Sequence, residues 1–262
     1  MKHNLTVTIV IAVLFFLAHF IGLFITQQYL EVELPYGIER PELESSTSYV
    51  PLIIAIFIAT GIALLLMKFG AMKIWKLWFV FATIYLLGIA FSAFLIQMWA
   101  LILAVIFGLL KFYRPSVITH NFTELFVYSG IAAIFAPIMS LLAVSILLVL
   151  ISVYDAIAVW KTKHMVKMAK FQAKSKMFAG LVVPYDKGKK TAVLGGGDIG
   201  FTLLFSGVVL AQFGFYKALL VSFVTAISLL LLLTYSKKNK FYPAMPYLSA
   251  GCFLGLLLSF LF

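Results

Sequence analysis

Charge is scarce in this chain. Only 11% of its 262 residues are charged and 64% are hydrophobic, whereas a soluble domain is about a quarter charged and half apolar. With a mean hydropathy of +1.11, an ordinary soluble fold is excluded and an integral membrane protein is indicated. Polar–apolar alternation, the mark of a membrane barrel, is also missing. Lipid leaves the backbone only helices or closed barrels, and the apolar runs approach the ~20 residues that a spanning helix needs. Helices are therefore predicted. A lone Cys252 excludes an internal disulfide. His3, His19, His120 and His164 show no ligand spacing and no H-E-x-x-H, so neither metal nor cofactor is predicted. No Gly-x-Ser-x-Gly is present, which argues against a membrane serine protease. The basic excess gives a net charge of +11. In a soluble protein it would raise nucleic acid as a partner. Here the lysines flank apolar runs and report topology, so the bilayer is the partner and nucleic acid is not.

The apolar runs resolve into nine predicted helices. Helix 1 covers about 5–26, too long for a signal peptide and followed by no small-x-small site. An acidic loop with Glu31, Glu33, Glu39, Glu42 and Glu44 leads to helix 2, about 50–67. A basic loop holds Lys68, Lys73 and Lys76. The uncharged stretch 77–110 is too long for one crossing and splits near Ser92–Gln97 into helices 3 and 4. Ala136-Pro137 divides helix 5 from helix 6, about 138–160. The polar loop 161–190 carries nine lysines, those at 161–176 extending helix 6 along the anionic inner leaflet. Helices 7, 8 and 9 cover about 191–213, 217–235 and 243–262. Every lysine and arginine except Arg40 and Lys217 then falls on one side. By the positive-inside rule the N-terminus is cytoplasmic and the C-terminus outside. The expectation is one transmembrane domain over 1–262, in the cell membrane and multi-pass.

Two acids lie inside apolar helices, Asp155 and Asp198. Such residues are costly and mark functional sites by default. Asp155 falls ~8 Å from the inner end of helix 6 and Asp198 ~10 Å from the inner end of helix 7. The two therefore share one depth on consecutive antiparallel helices. Two carboxyls in one low-dielectric site share a proton and titrate as a coupled pair. One can activate water while the other protonates a peptide carbonyl. Glu124, at the inner start of helix 5, reads as interfacial.

Gly195, Gly196 and Gly197 precede Asp198. They remove side chains where another backbone must come close, and a substrate chain would use that space. Small residues for helix packing are the plainer reading. The G-x-G-x-x-G match through Gly200 lacks the βαβ context of a dinucleotide site. Pro243-Ala244-Met245-Pro246 holds the chain extended at the inner start of helix 9, level with the acids.

Together these motifs resemble the presenilin and signal-peptide-peptidase family of intramembrane aspartyl proteases. That family carries Tyr-Asp, Gly-x-Gly-Asp and Pro-Ala-Leu in this order. Here they stand as Tyr154-Asp155, Gly195-Gly196-Gly197-Asp198 and Pro243-Ala244-Met245. Met245 in place of leucine is a volume-conserving change. The resemblance implies that Asp155 and Asp198 are catalytic, and that Tyr154, the three glycines, Pro243, Ala244 and Met245 shape the site. Substrates would be transmembrane proteins or peptides, and no partner subunits are implied. The inferred orientation is like presenilin's and opposite to that of signal peptide peptidases. Prepilin peptidases share Gly-x-Gly-Asp but lack the proline motif.

One segment of the polar loop has strand character, the apolar and β-branched run around Leu181, Val182 and Val183. It is expected to order when substrate binds, adding to an unwound substrate by β-augmentation. The alternative reading of the whole chain is a proton-coupled transporter using the two acids. Repeated halves with matching broken helices would favour it, and only one glycine-broken acidic helix is found. A non-enzymatic scaffold would leave both acids unexplained.

Overall fold

The computed structural model describes residues 4–69, 72–161, 178–186, 188–236 and 242–261. Among these are nine α-helices and one β-hairpin: α1 (Leu5–Glu31), α2 (Tyr49–Lys68), α3 (Met72–Ser92), α4 (Gln97–Tyr113), α5 (Val117–Phe135), α6 (Leu141–Trp160), β1 (Gly180–Tyr185), β2 (Lys190–Gly195), α7 (Gly196–Phe213), α8 (Phe215–Tyr235) and α9 (Met245–Ser259). Six helices among the described residues are long and apolar enough to cross a membrane; α2, α4 and α9 supply shorter apolar stretches. The chain is a multi-pass membrane protein. Many of its large apolar side chains are exposed, as on α2 with Ile54, Phe57, Ile58 and Ile62. Such a surface suits lipid and would be a liability in water.

Local signals explain the breaks. Ser116 and Ser140 cap α5 and α6, accepting the N–H of Thr119 at 3.0 Å and of Ala143 at 3.1 Å. Pro137 ends α5 in a short 3-10 turn. The predicted split between helices 3 and 4 falls where α3 and α4 part. Gly214, at φ 89°, makes the whole connection between α7 and α8; a positive φ there suits glycine alone.

The core is built around α7. Ile199, Leu203, Phe205, Val208 and Val209 are fully buried. Helix α7 packs against α1, α5, α6, α8 and α9, and α1 also touches α5, α8 and β1. Close approach uses small residues, as lipid-solvated helices do. A Cβ on Gly255 of α9 would lie 2.8 Å from the Val221 backbone of α8.

Three expectations need correction. Lys73 and Lys76 lie within α3, not in a loop, because their long stems let the ammonium groups reach the surface from an apolar helix. Helix 7 begins at Gly196 and not near residue 191: residues 190–195 form β2, antiparallel to β1. Asp198 therefore sits in the first turn of α7, not two turns in. Finally, the run 181–183 is a strand without any substrate, since β2 supplies its partner. The predicted helical extension over 162–176 lies outside the described residues.

Candidate active site

Asp155 is near the C-terminal end of α6 and 7% exposed. Its Oδ2 accepts the backbone N–H of Met245 at 3.1 Å, and the Ala244 N–H also donates to it. These N–H groups start α9, where no intrahelical acceptor exists for them. Helix N-termini are ready anion sites. Pro246, in the first turn, has no N–H to offer. The expectation that 243–246 is extended needs correction. Ala244 is already helical and Met245 and Pro246 form the first turn of α9, since proline is tolerated at a helix start, and the donors of that turn point onto Asp155. One turn back on α6, Ser152 meets Ser249 of α9 at 2.6 Å and ties the same two helices.

Asp198 is the third residue of α7. Its carboxyl takes the N–H of Gly195, the residue that caps the helix. This is the reach-back half of a capping box. Thr202, one turn on, donates to the Asp198 carbonyl at 2.6 Å and meets His19 of α1 at 3.0 Å. The first turn of α7 is thereby fixed to α1.

Both acids line one cavity of about 250 Å³. Ile56 and Thr60 of α2, Ile151 and Tyr154 of α6, Gly195, Gly197 and Phe201, and Tyr242, Ala244 and Met245 complete it. Tyr154 packs edge-on to Phe57 of α2 at 5.6 Å. The walls are mostly apolar, but the two carboxyls give water polar partners and the cavity has room for it. Pro243 is buried beside it.

The three glycines divide by role. Gly195 and Gly197 face the cavity. Gly196 faces the other way, and the Tyr128 ring of α5 occupies the space a Cβ would need, with Cε1 and Cζ at 3.0 Å. That glycine serves packing, not an approaching chain.

The residues missed from sequence are on α4 and α5. Glu124 is 1% exposed and not interfacial. It is paired with Lys111 of α4, accepts the Tyr128 hydroxyl, and takes the Gly180 N–H of β1 at 2.8 Å. A buried carboxylate persists only with such partners. The spacing of Glu124 and Tyr128, one helical turn apart, is visible in the sequence; the Lys111 and Gly180 contacts cross between elements and are not. His120 contacts the Gly180 carbonyl at 2.8 Å, and Asn121 bonds both polar backbone groups of Val182, at 2.7 and 2.9 Å.

The hairpin register follows from these bonds. Gly196 N–H donates to the Ala179 carbonyl at 3.0 Å, and Gly180 pairs opposite Gly195. Antiparallel pairs alternate between bonded and non-bonded. Leu181, Val183 and Tyr185 therefore face β2 with their backbone groups, while Gly180 and Val182 face α5. On β2 the outward positions are Thr191, Val193 and Gly195. Among the described residues, no group of three or more His, Cys, Asp or Glu could hold a metal ion.

Comparison with known proteins gives a family and a fold. The family model for signal-peptide peptidase, presenilin aspartyl protease matches residues 11–191, a span that includes Asp155 and stops short of Asp198. Two solved structures of a presenilin family intramembrane aspartate protease share the fold. One, in the C222 space group, has a TM-score of 0.72 at 20% identity, covering 97% of this chain and 98% of that one. The other, in P2, has a TM-score of 0.70 at 21% identity, with 96% of each chain covered. No curated protein matches.

Proposed function

The chain belongs to the signal-peptide peptidase, presenilin aspartyl protease family, and we propose that it hydrolyses peptide bonds within transmembrane segments, with Asp155 and Asp198 as the catalytic pair. The observation that carries this is the single cavity of about 250 Å³ shared by the two carboxyls. One carboxylate takes a proton from water as its oxygen attacks the scissile carbonyl carbon. The other carboxyl gives its proton to the carbonyl oxygen, and a gem-diol results. On collapse, the carboxyl protonated in the first step gives its proton to the departing amine. The gem-diol's own proton restores the second carboxyl, so the pair ends as it began. Two carboxyls that share one proton are suited to both steps. The Ala244 and Met245 N–H groups hold Asp155 in place, while the Gly195 N–H holds Asp198.

A transmembrane helix must unwind to expose a peptide bond, and the unwound strand needs backbone partners in a dry site. The outer edge of β1, over Leu181, Val182 and Val183, is occupied at Val182 by Asn121. The open edge is that of β2, at Thr191 and Val193, and it runs directly into Gly195 and Asp198. We assign substrate pairing to that edge, which brings an added strand to the acids.

We also place the N-terminus in the cytoplasm and the C-terminus outside, with all nine helices crossing as one domain. The lysine bias supports this orientation. Helix α9 has 15 residues, ~22 Å, against a hydrocarbon core of ~30 Å. A helix shorter than the hydrocarbon core is accommodated by local thinning of the bilayer. The test is incubation of purified protein with a model transmembrane peptide. Cleavage that stops with a hydroxyl-bearing peptide isostere is expected, and cleavage that persists in both Asp155→Asn and Asp198→Asn would remove the assignment.

A further inference from the structure

Helix α5 behaves toward β1 as a strand would. Four backbone groups line the outer edge of β1 ahead of Pro184: N–H and C=O of Gly180, and N–H and C=O of Val182. Each meets a side chain of α5. Glu124 accepts the Gly180 N–H at 2.8 Å, His120 bonds the Gly180 carbonyl at 2.8 Å, and Asn121 takes both groups of Val182 at 2.7 and 2.9 Å. Pro184 is the next outward position and has no N–H to satisfy. The edge is thus closed from Gly180 to Val182 by side chains within about one turn of a helix. Glu124 is in turn locked by Lys111 and by the Tyr128 hydroxyl.

We propose that Asn121 and Glu124 are positioning residues that select which edge of the hairpin substrate can join. Closing the β1 edge at Gly180 and Val182 leaves β2, among the described residues, as the hairpin edge that leads to Asp198, and fixes its height relative to that acid. Without the clamp, the hairpin is free to shift or fray, and only a fraction of molecules present β2 correctly. Apparent affinity then falls by that fraction, while the chemistry of a bound substrate is unchanged. This rests on the proteolytic reading only for the meaning of the bound peptide, since the clamp itself is independent of it.

The experiment compares Asn121→Ala with the charge-neutral pair Lys111→Met/Glu124→Gln, which avoids leaving a lone buried ammonium. Hydrogen exchange over 178–186 reports the clamp directly. Affinity for a model transmembrane peptide, measured in an Asp155→Asn background, reports edge presentation without catalysis. Asn121→Ala is expected to speed exchange at Val182 and to weaken peptide binding by about 5- to 30-fold, the effect of losing one or two hydrogen bonds. In the active enzyme KM rises by a similar factor with kcat within about twofold. A short isostere that does not reach the strand keeps its affinity. Unchanged exchange, or faster exchange with unchanged peptide affinity, overturns the proposal in either variant. So does a fall in kcat at constant KM. A wild type that binds the peptide but never cleaves it would remove the proteolytic reading and leave this one standing on the exchange and affinity results.

Discussion

Asp155 on α6 is held by the backbone of Met245, whose N–H donates to Oδ2 at 3.1 Å across 90 residues of sequence. The proline motif is therefore bound to an acid by the donors of a helix start. Ala244 and Met245 of that motif also line the cavity that both acids share.

This contact separates two substitutions at one position. Asp155→Asn keeps an oxygen to accept the Met245 N–H but cannot exchange a proton. It is expected to abolish cleavage with a melting temperature close to that of the native chain. Asp155→Ala loses the acceptor as well and should cost about 1 kcal/mol, as loss of a helix cap does. Thermal unfolding in detergent beside a cleavage assay checks both, and equal melting temperatures for the two variants would deny the capping role.

The hairpin moves the proline test from β1, where the sequence points, to the open edge of β2. Proline at Val182 removes an N–H bonded to Asn121, and at Val183 one that faces β2, so either substitution damages the hairpin itself. Proline at Val193 removes an outward donor from an edge, where proline is tolerated. Val193→Pro is expected to leave exchange protection over 180–185 intact and to raise KM about tenfold, as for one lost hydrogen bond of ~1.4 kcal/mol. Steady-state kinetics on a model substrate decide it; an unchanged KM would move substrate pairing elsewhere.

How much of this was legible can be read from the same residues. Asp155, Asp198 and Pro243 announced themselves, because a charge or a helix breaker inside an apolar run is a local anomaly. The start of α7 did not, since Ala192, Val193 and Leu194 run into the helix without a break in hydropathy, and a short apolar run reads equally as strand or helix. The turn was signalled by Asp186 and Gly188, both at positive φ, residue types that favour such turns. Glu124 was misread for a different reason: its burial depends on Lys111 and Gly180, partners on other elements that no local pattern reveals.

The pH profile of cleavage is expected to be bell-shaped, because activity needs one carboxyl of the pair ionised and the other protonated. The hairpin turn does not contribute its alkaline limb. Lys190 is held above the ordinary lysine range by its hydrogen bond to Asp186. A raised folded-state pKa favours folding below the unfolded value, and that contribution is lost only as pH rises through the folded one. Such a loss falls above the ordinary lysine range, and the pair is exposed and weakly coupled. Lys190→Met should therefore leave both limbs of the profile in place. An alkaline limb that moves with this substitution would assign it to the hairpin and not to the acids.

Gly196 and Gly197 are neighbours with opposite surroundings, and alanine at each tests the division of roles. A Cβ at Gly196 would meet the Tyr128 ring, with Cε1 and Cζ at 3.0 Å and the hydroxyl nearer still. That hydroxyl is bound to Glu124, so the ring is not free to yield. Overpacking of this kind typically costs 1–3 kcal/mol, and here it displaces the first turn of α7 with Asp198 on it. Gly196→Ala is expected to lower kcat and thermal stability together. Tyr128→Phe removes the hydroxyl and its anchor to Glu124, so the ring can tilt. The double variant should recover part of the stability lost in Gly196→Ala, a coupling that a double-mutant cycle measures. At Gly197 the nearest atoms are those of Phe201, at 3.5 Å, an ordinary contact. Alanine there fits, and its methyl enters the cavity. Gly197→Ala is expected to keep the native melting temperature and to raise KM. If instead Gly196→Ala melts like the native chain and Gly197→Ala does not, the assignment of Gly196 to packing and Gly197 to the cavity is reversed.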